Sequence, residues 1–85
     1  SDDIDDAFYD FESEQRLKEI SEFSQSHNVD VELIKSEISE YEFTGIIDKE
    51  RIRDNIKRPL KLLEKTELLE SIKEFIKSHV EKYQL

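Results

Sequence analysis

Tyr41-Glu42-Phe43-Thr44-Gly45-Ile46-Ile47-Asp48 lies at the middle of an 85-residue chain and holds its single glycine. Tyr41 and Phe43 close a run of apolar residues at helical spacing, and Gly45 can take the left-handed backbone that ends a helix. In a Schellman arrangement Ile46 then folds back onto the last turn. Asp48 offers a side-chain oxygen to the first free amides of a new helix. Ile47 before it and Ile52 four residues after it have the spacing of a hydrophobic staple. The stretch therefore predicts a helix stop followed at once by a helix start, and the chain is arranged as helices on either side of this corner.

On the N-terminal side, Ile34, Ile38 and Tyr41 mark the inner face of a helix opened by Asp30, with Val29 and Ile34 at staple positions. Before it, Leu17, Ile20 and Phe23 form one apolar stripe on a helix capped by Ser13 and stopping near His27-Asn28. Residues 1–12 are Asp-rich, with Ile4, Phe8 and Phe11 at helical spacing. They predict a short separate helix packed on the body and frayed at its start. Asp2, Asp3, Asp5 and Asp6 suit the positive pole of a helix start. A calcium loop does not fit them, because the turn glycine is missing and the alternating oxygen ligands stop at Ala7.

On the C-terminal side, a third helix covers about 49–56, with Ile52 and Ile56 inward, and stops before Arg58-Pro59 because proline disfavours helical geometry in the residue before it. Leu60-Lys61-Leu62-Leu63 reads either as the opening of a long helix or as an extended strap. The strap is preferred, with the last helix capped by Thr66 and with Glu67 and Glu70 near its positive pole. Leu69, Ile72, Phe75, Ile76, Val80 and Tyr83 make one face of that helix, with Phe75 as a central core ring. Glu70 with Lys73, Glu74 with Lys77, and Lys77 with Glu81 stand at pairing distance on its exposed side. Alternating strand patterns are missing from the sequence. The expectation is an all-α fold, a small orthogonal or irregular bundle of about four helices with a short basic linker before the last. It forms a single domain over residues 1–85, with an acidic segment at 1–12 and the body at 13–85.

A chain of this size buries only about 60% of the surface its unfolded form exposes, so the core is thin. Hydrophobic residues make up 35% and charged residues 41% of it. With no cysteine, disulfides and thiolate metal sites are excluded, which fits an intracellular protein. The apolar runs are too short to span a bilayer, and no secretory signal is present. With no methionine either, the chain reads as a piece of a larger protein. The formal charge of −9 is unevenly spread: residues 1–44 carry a net −11, whereas residues 49–65 carry a net +4. The acidic total argues against tight independent binding to nucleic acid but leaves room for one basic stripe.

Catalytic chemistry is sparse. His27 and His79 are far apart in sequence and have no ligand spacing around them, so both read as surface or cap residues. The Ser and Thr residues fall at cap positions, and one glycine cannot build a phosphate-binding loop. Neither a catalytic nor a metal-ligating set emerges. Two features can carry function. The first is the basic cluster Arg51, Arg53, Lys57, Arg58 and Lys61, suited to DNA phosphates or to an acidic partner surface. The second is apolar surface in excess of what the core needs, in the first two helices and at Leu60–Leu63.

The order of these elements resembles the C-terminal region of type I restriction enzyme R subunits, the HsdR family. The pieces that carry the likeness are Tyr41-Glu42-Phe43-Thr44-Gly45, then Ile56-Lys57-Arg58-Pro59-Leu60, then Ile72-Lys73-Glu74-Phe75-Ile76, within residues 13–85. The resemblance implies a cytoplasmic parent protein that cleaves DNA after ATP-driven translocation, using ATP and magnesium in nuclease and motor domains upstream. No catalytic residue carries over, and no cofactor is expected in this piece. The resemblance further implies assembly on the methyltransferase core of modification and specificity subunits, beside the motor domains of the same chain, with duplex DNA as a further contact and no membrane. Arg51, Arg53, Lys57, Arg58 and Lys61 would make that contact. Two other classes compete on the residues alone. One is an unrelated helical adaptor with an apolar groove for a partner helix. The other is an acidic DNA mimic, which the plainly core-forming faces of the acidic helices disfavour.

Overall fold

The structure, a computed structural model, describes the backbone of residues 2–83 and the side chains of residues 13–83. Four helices follow one another: α1 (Asp2–His27), α2 (Val31–Thr44), α3 (Lys49–Asn55) and α4 (Leu62–Tyr83). The all-α expectation and the count of about four helices hold, and no strand occurs among the described residues.

The connections are made by local hydrogen bonding. At the end of α1, Asn28 takes a left-handed conformation, φ 54°. Its amide donates to the Gln25 carbonyl at 3.3 Å, and the Val29 amide donates to the Ser24 carbonyl at 3.0 Å. This is the double bond pattern of a Schellman cap, with asparagine at the left-handed position. Asp30 caps α2 by accepting from the Glu32 amide at 3.0 Å, and Val29 and Ile34 of its staple both join the core.

Gly45 ends α2 at φ 73°, its amide donating to the Tyr41 carbonyl at 2.8 Å. That single bond defines the simpler left-handed cap rather than the Schellman form. Accordingly Ile46 does not fold back onto the helix and is 68% exposed. Its amide is taken instead by the Thr44 hydroxyl at 3.1 Å. Asp48 caps α3 as expected, accepting from the amides of Glu50 and Arg51.

Two helix starts differ from expectation. Helix α1 runs without a break through Ser13, so the predicted short separate helix is the first half of one long helix. No glycine or proline interrupts Phe11-Glu12-Ser13-Glu14-Gln15, and serine can sit inside a helix made of good formers. The expected packing of Ile4, Phe8 and Phe11 lies outside the described side chains. The last helix begins at Leu62, not behind Thr66. The Thr66 hydroxyl donates back to the Leu62 carbonyl at 3.0 Å, satisfying itself within the helix instead of capping it. The extended strap is therefore residues 56–61, and Leu62 and Leu63 belong to the first turn of α4.

The core is aliphatic. Ile20 from α1, Ile34 and Ile38 from α2, Ile52 from α3, and Leu68, Ile72, Ile76 and Val80 from α4 are buried together. Ile34, Ile52, Ile72 and Ile76 have no exposed surface. Phe75 is only half-buried, at the edge of this cluster, because its ring stacks on Phe23 of α1, centroids 4.2 Å apart. Helix α1 lies antiparallel to α4, Glu19 facing Lys82 and Tyr83 while Phe23 faces Phe75.

Candidate interaction surface

Asp48 fixes the first turn of α3 and so decides where its cations point. One helical step on, Arg51 turns back toward α2. Its Nε donates to Glu37 Oε1 at 3.1 Å and its Nη2 to Glu37 Oε2 at 2.8 Å, and Glu40 stands 4.0 Å from Nη1. Glu37 is 4% exposed, so this two-point pair neutralises a buried carboxylate. The hydrogen bond to Glu37 raises the Arg51 guanidinium above its ordinary value, against a smaller effect of burial.

Arg58 is also engaged. Its Nη2 donates to the His27 carbonyl at 2.8 Å, placing a cation at the negative pole of α1. Arg53 faces solvent beside Asp54, at 3.8 Å. Lys57 and Lys61 are exposed and make no ion pair among the described residues. Of the five cations singled out from the sequence, Arg51 fastens α3 to α2 and Arg58 fastens the strap to the end of α1, while Arg53, Lys57 and Lys61 present charge to solvent.

The surplus apolar surface expected at Leu60–Leu63 lies next to Lys61, at the end of the strap away from Lys57. Leu62 is 82% and Leu63 70% exposed, whereas Leu60 packs against the core. Among the described residues, Phe43, Ile46 and Leu17 are the other large apolar side chains left open. The charge pairs expected along α4 do not form. Glu70 pairs with Lys49 of α3 instead, and the Lys49 hydrogen bond and charge hold its carboxyl below the usual range.

His79 is the polar residue that the sequence reading placed wrongly. It is buried, 2% exposed, between α4 and α1. Its ring lies beside Phe75 and Tyr83, in a row that runs on from Phe75 through Phe23 to His27. Arg16 Nε donates to His79 Nε2 at 3.4 Å, which places the ring proton on Nδ1. That Nδ1 lies 3.7 Å from Glu19 Oε2 and has no hydrogen-bond partner. Burial pushes the imidazole below its ordinary value, helped by Arg16 and opposed by Glu19. Glu19 itself is held by Lys82 and by the Tyr83 hydroxyl at 2.9 Å. Burial would raise its carboxyl, but these two hydrogen bonds outweigh it and lower the group. Position 79 stands three residues after Ile76 and four before Tyr83, on the apolar stripe of α4 itself, so the helical spacing already signalled its burial and only the polar residue type pointed the other way. Among the described residues no hydroxyl hydrogen-bonds to His79. Among the described residues, no group of three His, Cys, Asp or Glu side chains could hold a metal ion, and no helix is long and apolar enough to cross a membrane.

Fold and surface together define a small all-α bundle whose engaged cations fasten its helices and whose free cations line one connecting strap. Over residues 1–83 the chain matches the family described as "Type I restriction and modification enzyme - subunit R C terminal", and it belongs to that family. It is also 32% identical over 82 residues to the "Type I restriction enzyme SsaAORF53P endonuclease subunit" of Staphylococcus saprophyticus subsp. saprophyticus. The alignment covers 96% of this chain and 9% of that protein, so the chain spans a small part of the curated relative's length. No solved structure gives a significant match. The likeness read from the Gly45 corner, the Pro59 strap and the final helix therefore pointed to the right family.

Proposed function

We propose that this chain is a non-catalytic assembly domain of a type I restriction enzyme R subunit, docking that subunit on the methyltransferase core of modification and specificity subunits. The observation that carries the proposal is the division of labour at the strap. Arg51 and Arg58 are tied to Glu37 and to the end of α1. This rigid backing leaves Arg53, Lys57 and Lys61, with Leu62 and Leu63, turned outward. A surface held rigid before it meets its partner loses less conformational entropy on binding.

In this reading the parent is an ATP-dependent DNA translocase and endonuclease of the cytoplasm. Its ATP and magnesium are held by domains outside this chain, and this domain abuts the upstream motor domains. Direct contact with duplex DNA is the second reading, favoured by the net +4 of residues 49–65. Calorimetric titration of the chain against a methyltransferase core from the same source tests the first reading. A dissociation constant on the order of 1 μM or tighter is expected. No heat from a chain shown to be folded by circular dichroism overturns it. For the second, reversal of charge at Arg53, Lys57 and Lys61 abolishes any retardation of a DNA duplex by the chain.

A further inference from the structure

The strap and the first turn of α4 carry a more specific message, which rests on and deepens the assembly reading. We propose that Lys57, Lys61, Leu62 and Leu63 form a docking surface for a helix of a partner protein that carries carboxylates along the edges of an apolar face.

Three observations select that occupant. Leu62 and Leu63 are consecutive and almost fully exposed at the start of a helix, 82% and 70%. Two adjacent bare leucines serve no purpose against a phosphate backbone, whose recognition relies on cations and amides. They are what a protein partner covers. Next, Lys61 immediately precedes them and Lys57 stands at the far end of the same strap, both without an ion pair among the described residues. Two carboxylates of the neighbouring helices are already engaged, Glu37 with Arg51 and Glu70 with Lys49. Glu64, the acid of the first α4 turn, makes no pair with these lysines either. Finally, the first turn of α4 has no side-chain cap, Glu64 being its one acid. Lys61 occupies the position before Leu62, where Ser, Thr, Asp or Asn would cap the helix, and its ammonium has no acceptor to offer. The uncapped first amides of α4 and Lys61 thus add positive charge next to an apolar pair, with Lys57 extending it along the strap. An acidic-edged amphipathic helix complements both parts at once, its apolar face on the leucines and its carboxylates on the lysines and the helix end.

A synthetic amphipathic helix of about 18 residues, with Leu along one face and Glu along its edges, serves as the test ligand, and its Glu→Lys twin as control. Titrated into the 15N-labelled chain, the Glu peptide is expected to shift the amides of Lys57, Lys61, Leu62 and Leu63. It should bind at least about tenfold more weakly to the Leu62→Ser/Leu63→Ser variant, which keeps its helical circular dichroism because both positions are on the surface. Equal binding of both peptides, shifts confined to other residues, or undiminished binding by the double-serine variant overturns the proposal. A DNA duplex that binds these lysines indifferently to the serine changes also overturns it. So does a sedimentation profile in which a second copy of the chain already occupies the leucines. The same variant titrated against the methyltransferase core separates the two levels. If the core binds wild type and variant alike, the surface is wrong and the assembly reading stands. If the Glu peptide binds as expected while the core binds neither, the surface stands and the assembly reading falls.

Discussion

At the scale of single residues, the core depends on a few fully buried isoleucines. Ile72 and Ile76 have no exposed surface, whereas Phe75 sits at the edge of the cluster. Ile72→Ala is expected to cost about 2–5 kcal/mol, most of the stability a domain this small can hold. Urea denaturation should show a native baseline shortened or lost. His79 sets a second expectation. Its neutral form is favoured by burial and by Arg16, against Glu19 and Glu42, with Lys82 and Tyr83 beside it on its own helix. Because the folded-state imidazole titrates below its ordinary value of 6.5, the unfolded chain takes up the proton first on acidification. The stability this residue contributes is complete above that value and is lost as pH falls through the depressed one. Glu19, held below its ordinary 4.5, adds a second loss at still lower pH by the same sign. The thermal midpoint should therefore drop as pH is lowered from about 7.5 to about 5.5, and His79→Leu should flatten that part of the profile. An unchanged slope in the variant would mean that another group titrates there.

At the scale of elements, the Glu37–Arg51 pair is the fastener between α2 and α3. Removing Arg51 alone leaves a buried carboxylate without its cation, whereas removing both leaves apolar side chains that pack. Arg51→Met should thus destabilise more than Arg51→Met with Glu37→Leu, a non-additive cycle visible in chemical denaturation midpoints. Additive losses would show the pair to be energetically idle. The same pair shows why some of the molecule could be read from sequence and some could not. Asp30, Asp48 and Gly45 act on amides or carbonyls within four residues of themselves, so their spacing announced the helix boundaries. The isoleucine stripes did the same for the core. Ser13 and Thr66 misled because a hydroxyl that can cap a helix can equally bond inside one, and the outcome depends on how the preceding turn propagates. Arg51 and Arg58 could not be told from Arg53 and Lys57 in the sequence, because their partners, Glu37 and the His27 carbonyl, are brought near only by folding. His79 was legible, standing at helical spacing between Ile76 and Tyr83, but its polar side chain outweighed its position.

At the scale of the whole molecule, charge is divided along the chain: a net −11 over residues 1–44 faces a basic strap in the second half. Like charges crowded in the first two helices repel, and added salt screens that repulsion over about 10 Å at 0.1 M. Moderate sodium chloride should therefore raise the thermal midpoint of the free chain. It should weaken any partner held through Lys57 and Lys61, because there it screens an attraction. Opposite signs in the two measurements are expected, and a fall in both would show that attractions within the domain dominate its electrostatics.

The row of rings at the α1–α4 seam has one more consequence. Phe23 lies between His27 and Phe75, with centroids 4.0 Å and 4.2 Å away, both nearly parallel to it. Protons held above and below such faces feel the ring currents, so the imidazole resonances of His27 and the ring signals of Phe23 should appear well displaced from their free-peptide positions. In a chain without tryptophan, this gives a native, unlabelled NMR indicator of whether the first helix is seated on the last.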